Sequence, residues 1–169
     1  ISGADLARFY HTAGFNGICV TDHFFNGNTT VPADLPWPER VELFCRGYEN
    51  ARAEGERLGM SVFFGWEYSL FGNDFLTYGL DPGWLLAHPE SLTLGVNDYC
   101  DLVHRDGGTV IHAHPFREAG YIEMIRLLPR KTDAVEIYNV GRKDFENTLA
   151  RQYAKNYGLP GVVGSDNHT

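Results

Sequence analysis

Short apolar runs alternate along the chain with longer amphipathic stretches. "GICVTDH", "VFFGWEYSL", "DFLTYGL", "TVIHAHPF", "AVEIYN" and "GVVGSD" are rich in β-branched and aromatic residues and predict six strands. "FGN" reads as the turn between the second and third. Helical spacing predicts a first helix in "GADLARFYHTAG", capped by Ser2, carrying Leu6, Phe9 and Tyr10 on its apolar face and stopped by Gly14. A long helix over residues 39–58 places Val41, Phe44, Cys45, Tyr48 and Ala51 on one side. Further helices are expected over 96–106, 122–128 and 143–157, with a polar loop over 26–38 and a loop with short turns over 82–94. Strands separated mostly by helices predict an α/β fold built on a largely parallel sheet or barrel.

Polar residues gather where these strands end. Asp22 and His23, Glu67, His112 and His114, Asn139, and Asp166 with His168 all fall at such ends, whereas Asp74 begins a strand. In a parallel barrel the carboxyl ends of the strands are where chemistry collects. Asp166 and His168 are two apart, so an extended chain turns both to one side, and a carboxylate beside an imidazole suits a metal ion. Singly, each motif has a plain alternative. "TDH" also reads as a helix cap, "VVGSDNHT" as a polar turn, His114 as a strand end before Pro115, and Glu67 as a buried carboxylate tied to an arginine. Together they bring three imidazoles and two carboxylates to one sheet, a costly set to bury unless cations compensate. His112 points to the same side as His114, one pleat deeper, and reads as barrel filling or a donor behind the ligands rather than a ligand. His11, His88 and His104 read as solvated or structural.

Bulk properties narrow the field further. At 169 residues, 43% of them hydrophobic and 21% charged, the chain reads as a single globular domain with a real core. A net charge of −8 weighs against coating nucleic acid or a membrane surface, without excluding a local basic patch. No apolar run reaches the ~20 residues that cross a bilayer. Cys19, Cys45 and Cys100 lack CxxC spacing, which suggests reduced thiols and a cytoplasmic protein. The chain opens on Ile1 and closes on a motif, so the domain is expected to be trimmed at both ends.

In this order and spacing, "VTDH", "GWE", "HAHPFR", "AVEIYN" and "GSDNHT" resemble the PHP (polymerase and histidinol phosphatase) family of metal-dependent phosphoesterases. The resemblance implies a distorted (β/α)7 barrel with two or three divalent ions (zinc, manganese or iron) at its carboxyl end. It implies that His23, Asp166 and His168 hold one metal, that Glu67 bridges two, and that His114 holds the second. Two departures from the family pattern stand out. The His-x-His of a first strand does not precede Ile1, so the barrel is expected to lack that strand. Asp74 stands where members often place a histidine, as an acceptable harder ligand.

The resulting expectation is a hydrolase of phosphate mono- or diesters using metal-activated water. Arg117, with Glu67 and Asp166, would carry the chemistry, since a guanidinium just past His114 can fork phosphate oxygens. Arg142 and Asn139 would join Arg117 in binding substrate, a small phosphorylated molecule or nucleotide. No serine or cysteine is set as a nucleophile; Ser165 lacks a neighbouring base. Two alternatives remain open: an inactive binding or scaffolding domain of the same fold, and a metal-dependent C–N bond hydrolase of amidohydrolase type.

Overall fold

The structure, a computed structural model, describes residues 1–168. Six strands form one sheet in the order β1 to β6: β1 (Gly17–Val20), β2 (Ser61–Leu70), β3 (Asn73–Tyr78), β4 (Thr109–Ala113), β5 (Ala134–Asn139) and β6 (Gly161–Gly164). Five helices accompany them: α1 (Gly3–Thr12), α2 (Trp37–Leu58), α3 (Pro82–Ala87), α4 (Val96–Arg105) and α5 (Asp144–Tyr157). The sheet curls into a half-barrel, with β1 and β6 bordering a cleft of about 950 Å³. Six strands among the described residues are the number expected of a (β/α)7 barrel lacking its first strand, and here they form an open half-barrel.

Strand direction departs from the parallel expectation. β1 lies parallel to β2, and β4, β5 and β6 are mutually parallel, but β3 runs antiparallel to both its neighbours. The cause is local. Phe71 (φ 49°) and Gly72 (φ 81°) close a two-residue hairpin between β2 and β3, far shorter than any parallel crossover.

Two helical expectations need correction. Ser2 does cap α1, accepting from the Asp5 N–H at 3.1 Å, but the buried residue of this helix is Ala7, while Phe9 is 57% exposed. Here α1 crosses α2 at backbone range. A Cβ on Gly3 would lie 1.9 Å from the Gly47 carbonyl oxygen, so the small face packs and the large one turns out. The helix expected over 122–128 is absent; that stretch is irregular. Its backbone is claimed by the hairpin instead: Asn73 accepts from the Arg126 N–H at 2.9 Å and donates to the Met124 carbonyl at 3.0 Å. In the loop with short turns expected over 82–94, the turns are α3 and a 3₁₀ turn, Pro89–Leu92.

The main core lies behind β2 and β3. Phe24, Phe44, Trp66, Tyr68, Phe75 and Tyr99 pack there, and the Tyr99 hydroxyl is bonded by both Trp66 Nε1 and Thr77 Oγ1, at 2.6 Å each. Strand alternation then fixes what faces the other way. With Trp66 and Tyr68 in the core, Glu67 points to the concave side, and with Phe75 in the core, so does Asp74.

Candidate metal centre

Glu67 on β2 and Asp74 on β3 sit diagonally across the hairpin, Asp74 pairing with Ser69 and Glu67 with Leu76. Ser69 Oγ donates to Asp74 Oδ1 at 2.7 Å, leaving Oδ2 toward the centre. The third member comes from the end of β4, where regular alternation would have failed. His112 is the cross-strand partner of Phe75 and stacks on it in the core, fully buried. An extended His114 would follow it inward. Instead β4 ends at Ala113, and His114 takes φ 26°, which swings its ring to the concave side. The two histidines thus part company. His112 fills the core with neither ring nitrogen hydrogen-bonded among the described residues, where it supplies no donor to the ligands; burial, then the nearby charge of His114, pushes it down to about 3.

His114 Nε2 faces Glu67 Oε1 at 3.4 Å, Asp166 Oδ2 at 3.7 Å and Asp74 Oδ2 at 3.9 Å. Potential ligand atoms of Glu67, Asp74 and His114 all lie within 4.8 Å of one another, and all three residues are buried. His23, which bridges onto β2 beside Glu67, brings Nδ1 to 3.3 Å from Glu67 Oε2. Its Nε2 lies 3.0 Å from His168 Nε2, and His168 Nδ1 lies 3.2 Å from Asp166 Oδ1. Asp166 takes φ 47°, so it and His168 meet through a turn rather than through strand alternation. His23, Glu67, Asp74, His114, Asp166 and His168 therefore form one continuous group, with His168 at its exposed rim.

The two arginines stand on the carboxylates themselves. Arg117 Nη1 donates to Asp74 Oδ2 at 3.1 Å, and its other nitrogen contacts the Tyr121 hydroxyl. Arg142 Nη2 lies 3.3 Å from Asp166 Oδ2. Asn139 is 1% exposed and its amide is committed: Nδ2 donates to Glu136 Oε2 at 3.0 Å, and Oδ1 accepts from the Gly141 N–H at 2.9 Å. It braces Glu136 and is almost wholly screened from solvent.

Burial would raise the Glu67 carboxyl, but His114, His23 and His168 outweigh it and hold it below the usual range. Burial and then the Glu67 charge raise Asp74. Burial would lower His114, yet its bond to Glu67 and the charges of Glu67, Glu136 and Asp74 keep it above its ordinary value.

The fold has solved counterparts. Superposition on a two-domain protein from Bacteroides vulgatus, containing a predicted PHP-like metal-dependent phosphoesterase, gives a TM-score of 0.72 over 99% of this chain and 48% of that one, at 16% identity. The fold is shared with that protein over about half of its length. A candidate metal-dependent phosphoesterase from Bifidobacterium adolescentis gives 0.60 over 99% and 82% of the two chains at 15% identity. PsfC from Pseudomonas syringae gives 0.61 over 99% and 66% at 19% identity. The chain spans about half the length of the Bacteroides protein. Residues 144–169 match the family model described as PHP-associated. No curated protein matches the chain by sequence.

The centre suits a divalent cation on its own geometry. Three carboxylates converge on one imidazole in a buried space, and like charges so placed repel unless a cation lies among them. Oxygen and imidazole donors fit zinc, manganese or iron alike. One further residue was not anticipated from the sequence. Glu136, on β5 and 4% exposed, accepts the His114 backbone N–H at 2.8 Å. Its signal was a single acidic residue inside the apolar run "AVEIYN".

Proposed function

We propose that this domain is a metal-dependent hydrolase of phosphate esters. The observation that carries the reading is the convergence of Glu67, Asp74 and His114 within 4.8 Å, bordered on two sides by arginines. Divalent ions held there by His23, Glu67, Asp74, His114, Asp166 and His168 would lower the pKa of water and polarise a phosphoryl oxygen. The chain's own part is to bind and orient. Arg117 and Arg142 offer their remaining N–H groups to the non-bridging phosphate oxygens, and Ser69 fixes which oxygen of Asp74 faces the centre. Pro115 holds the backbone between His114 and Arg117, so the guanidinium starts from a fixed place. Water attacks phosphorus, the bond to the leaving oxygen breaks, and that oxygen takes up a proton. The substrate is a small phosphorylated molecule or nucleotide, and the three unbridged cysteines suit the cytoplasm.

The test is hydrolysis of p-nitrophenyl phosphate and bis(p-nitrophenyl) phosphate with Mn²⁺ or Zn²⁺ supplied. Turnover of one or both, abolished by EDTA and by Glu67→Gln, is expected. Arg117→Ala should lower kcat/KM about 10- to 150-fold, the worth of a charged hydrogen bond of roughly 1.5–3 kcal/mol. Metal-loaded protein that cleaves neither ester would overturn the proposal, and cleavage of an amide instead would select the C–N reading.

A further inference from the structure

We propose that Glu136 is a positioning residue for His114, and that the first turn of α5 anchors it; this rests on reading the site as a metal centre. The ring of His114 is aimed without help on its far side. Nε2 faces the three carboxylates, while Nδ1 makes no hydrogen bond among the described residues. Imidazole ligands are commonly oriented through the nitrogen that does not bind the metal. Here that handle is unused, so the direction of the ring is set from its backbone. That backbone is held at φ 26°, a conformation uncommon for any residue other than glycine.

Two hydrogen bonds supply the constraint. The His114 carbonyl accepts from the Arg117 N–H at 2.9 Å, closing the turn. The His114 N–H donates to Glu136 Oε2 at 2.8 Å, tying the turn to β5. Glu136 is itself fixed. Asn139 Nδ2 donates to the same Oε2 at 3.0 Å, and a Cβ on Gly164 would fall 2.0 Å from Oε1, so the carboxylate fits tightly against β6. Asn139 is clamped in turn by Asn147 on α5. Asn147 Oδ1 accepts the Asn139 N–H at 2.9 Å, and Asn147 Nδ2 donates to the Asn139 carbonyl at 3.1 Å. His114, Glu136, Asn139 and Asn147 are each 6% exposed or less, so water does not compete for these bonds. The chain of contacts runs from α5 through Asn147, Asn139 and Glu136 to the imidazole.

The experiment uses the 169-residue chain and the variants Glu136→Gln, Glu136→Ala and Asn147→Ala. In metal-free protein, the His114 amide proton is followed by NMR for exchange protection. Glu136→Ala should lose that protection and Glu136→Gln should keep it, because the amide oxygen still accepts. Calorimetric titration with Mn²⁺ should then show Glu136→Ala weakened about 10- to 100-fold, the usual cost of removing a group behind a ligand. Glu136→Gln should recover most of the loss, and Asn147→Ala should fall between. Full protection of the His114 amide in Glu136→Ala overturns the proposal, as does equal loss of Mn²⁺ affinity in the Gln and Ala variants. Wild-type protein that binds no Mn²⁺ defeats the metal reading alone, and the amide measurement still decides the role of Glu136. Should Glu136→Ala fail to fold, Asn147→Ala with unchanged His114 protection and unchanged Mn²⁺ affinity overturns the anchoring.

Discussion

Burial sorts the three thiols into two kinds. Cys45 and Cys100 are buried, and that burial pushes both up to about 12; Cys19 is exposed on β1. At pH 8 a thiol of that pKa is only about 10⁻⁴ thiolate, and the thiolate is the nucleophile. Iodoacetamide at pH 8 should therefore label Cys19 first, with Cys45 and Cys100 following only on unfolding, as one early mass adduct against three late ones. His112 makes a second case. Its ring is buried with both nitrogens unbonded among the described residues, so His112→Leu removes an unsatisfied polar pair. Stability should rise by about 1 kcal/mol. Melting should shift upward by about 2–4 °C, and Mn²⁺ stoichiometry should not change. A fall in bound metal would return His112 to the ligand set. Both residues of "HAH" were visible as candidates in the sequence, but not their separation. Periodicity places them on one face, and only the positive φ at His114 sends them to opposite sides.

Between elements, α1 and α2 cross at backbone range. Gly3→Ala sets a methyl group against the Gly47 carbonyl oxygen and the Ala51 nitrogen, both backbone atoms that cannot step aside. Overpacking of this kind should cost about 1–3 kcal/mol, read as a lower urea midpoint at constant m-value. The strands and long helices were legible because their apolar spacing is strong: α2 buries Val41, Phe44, Cys45 and Ala51 as its pattern implies. What periodicity missed was decided by partners distant in sequence. Phe9 is apolar yet outward because glycine and alanine make the α1–α2 seam. Residues 122–128 look helical, but Asn73 takes the backbone groups a helix would need.

For the molecule as a whole, the concave face is a store of buried negative charge, partly neutralised by Arg117 and Arg142. Binding a cation to the folded state alone stabilises it by mass action, by about 2.7 kcal/mol at a hundredfold excess over Kd. Mn²⁺ should accordingly raise Tm and EDTA should reverse it; a Glu67→Gln His114→Ala double variant should melt at one temperature in both. The clustering of chemistry at strand ends was legible because "TDH", "GWE", "HAHPFR" and "GSDNH" each close an apolar run. Strand direction was not, since a short turn and a missing helix between β2 and β3 look minor in a linear reading, yet they reverse one strand. No helix among the described residues is long and apolar enough to cross a membrane.

The Phe71–Gly72 hairpin also has a bearing on the order of assembly. Hairpins close in roughly 1–10 μs, whereas strands paired across long stretches of chain must first meet the entropy of closing large loops. Glu67 and Asp74 lie seven positions apart on one hairpin, while Asp166 and His168 arrive from the far end of the chain. Two carboxylates therefore come onto one face as diagonal neighbours early, before His114, Arg117 or Arg142 is in place to offset them. Their mutual repulsion opposes the nucleus, and a divalent ion present during refolding relieves it. Refolding should accordingly be faster in Mn²⁺ than in EDTA, and Glu67→Gln should remove most of the difference.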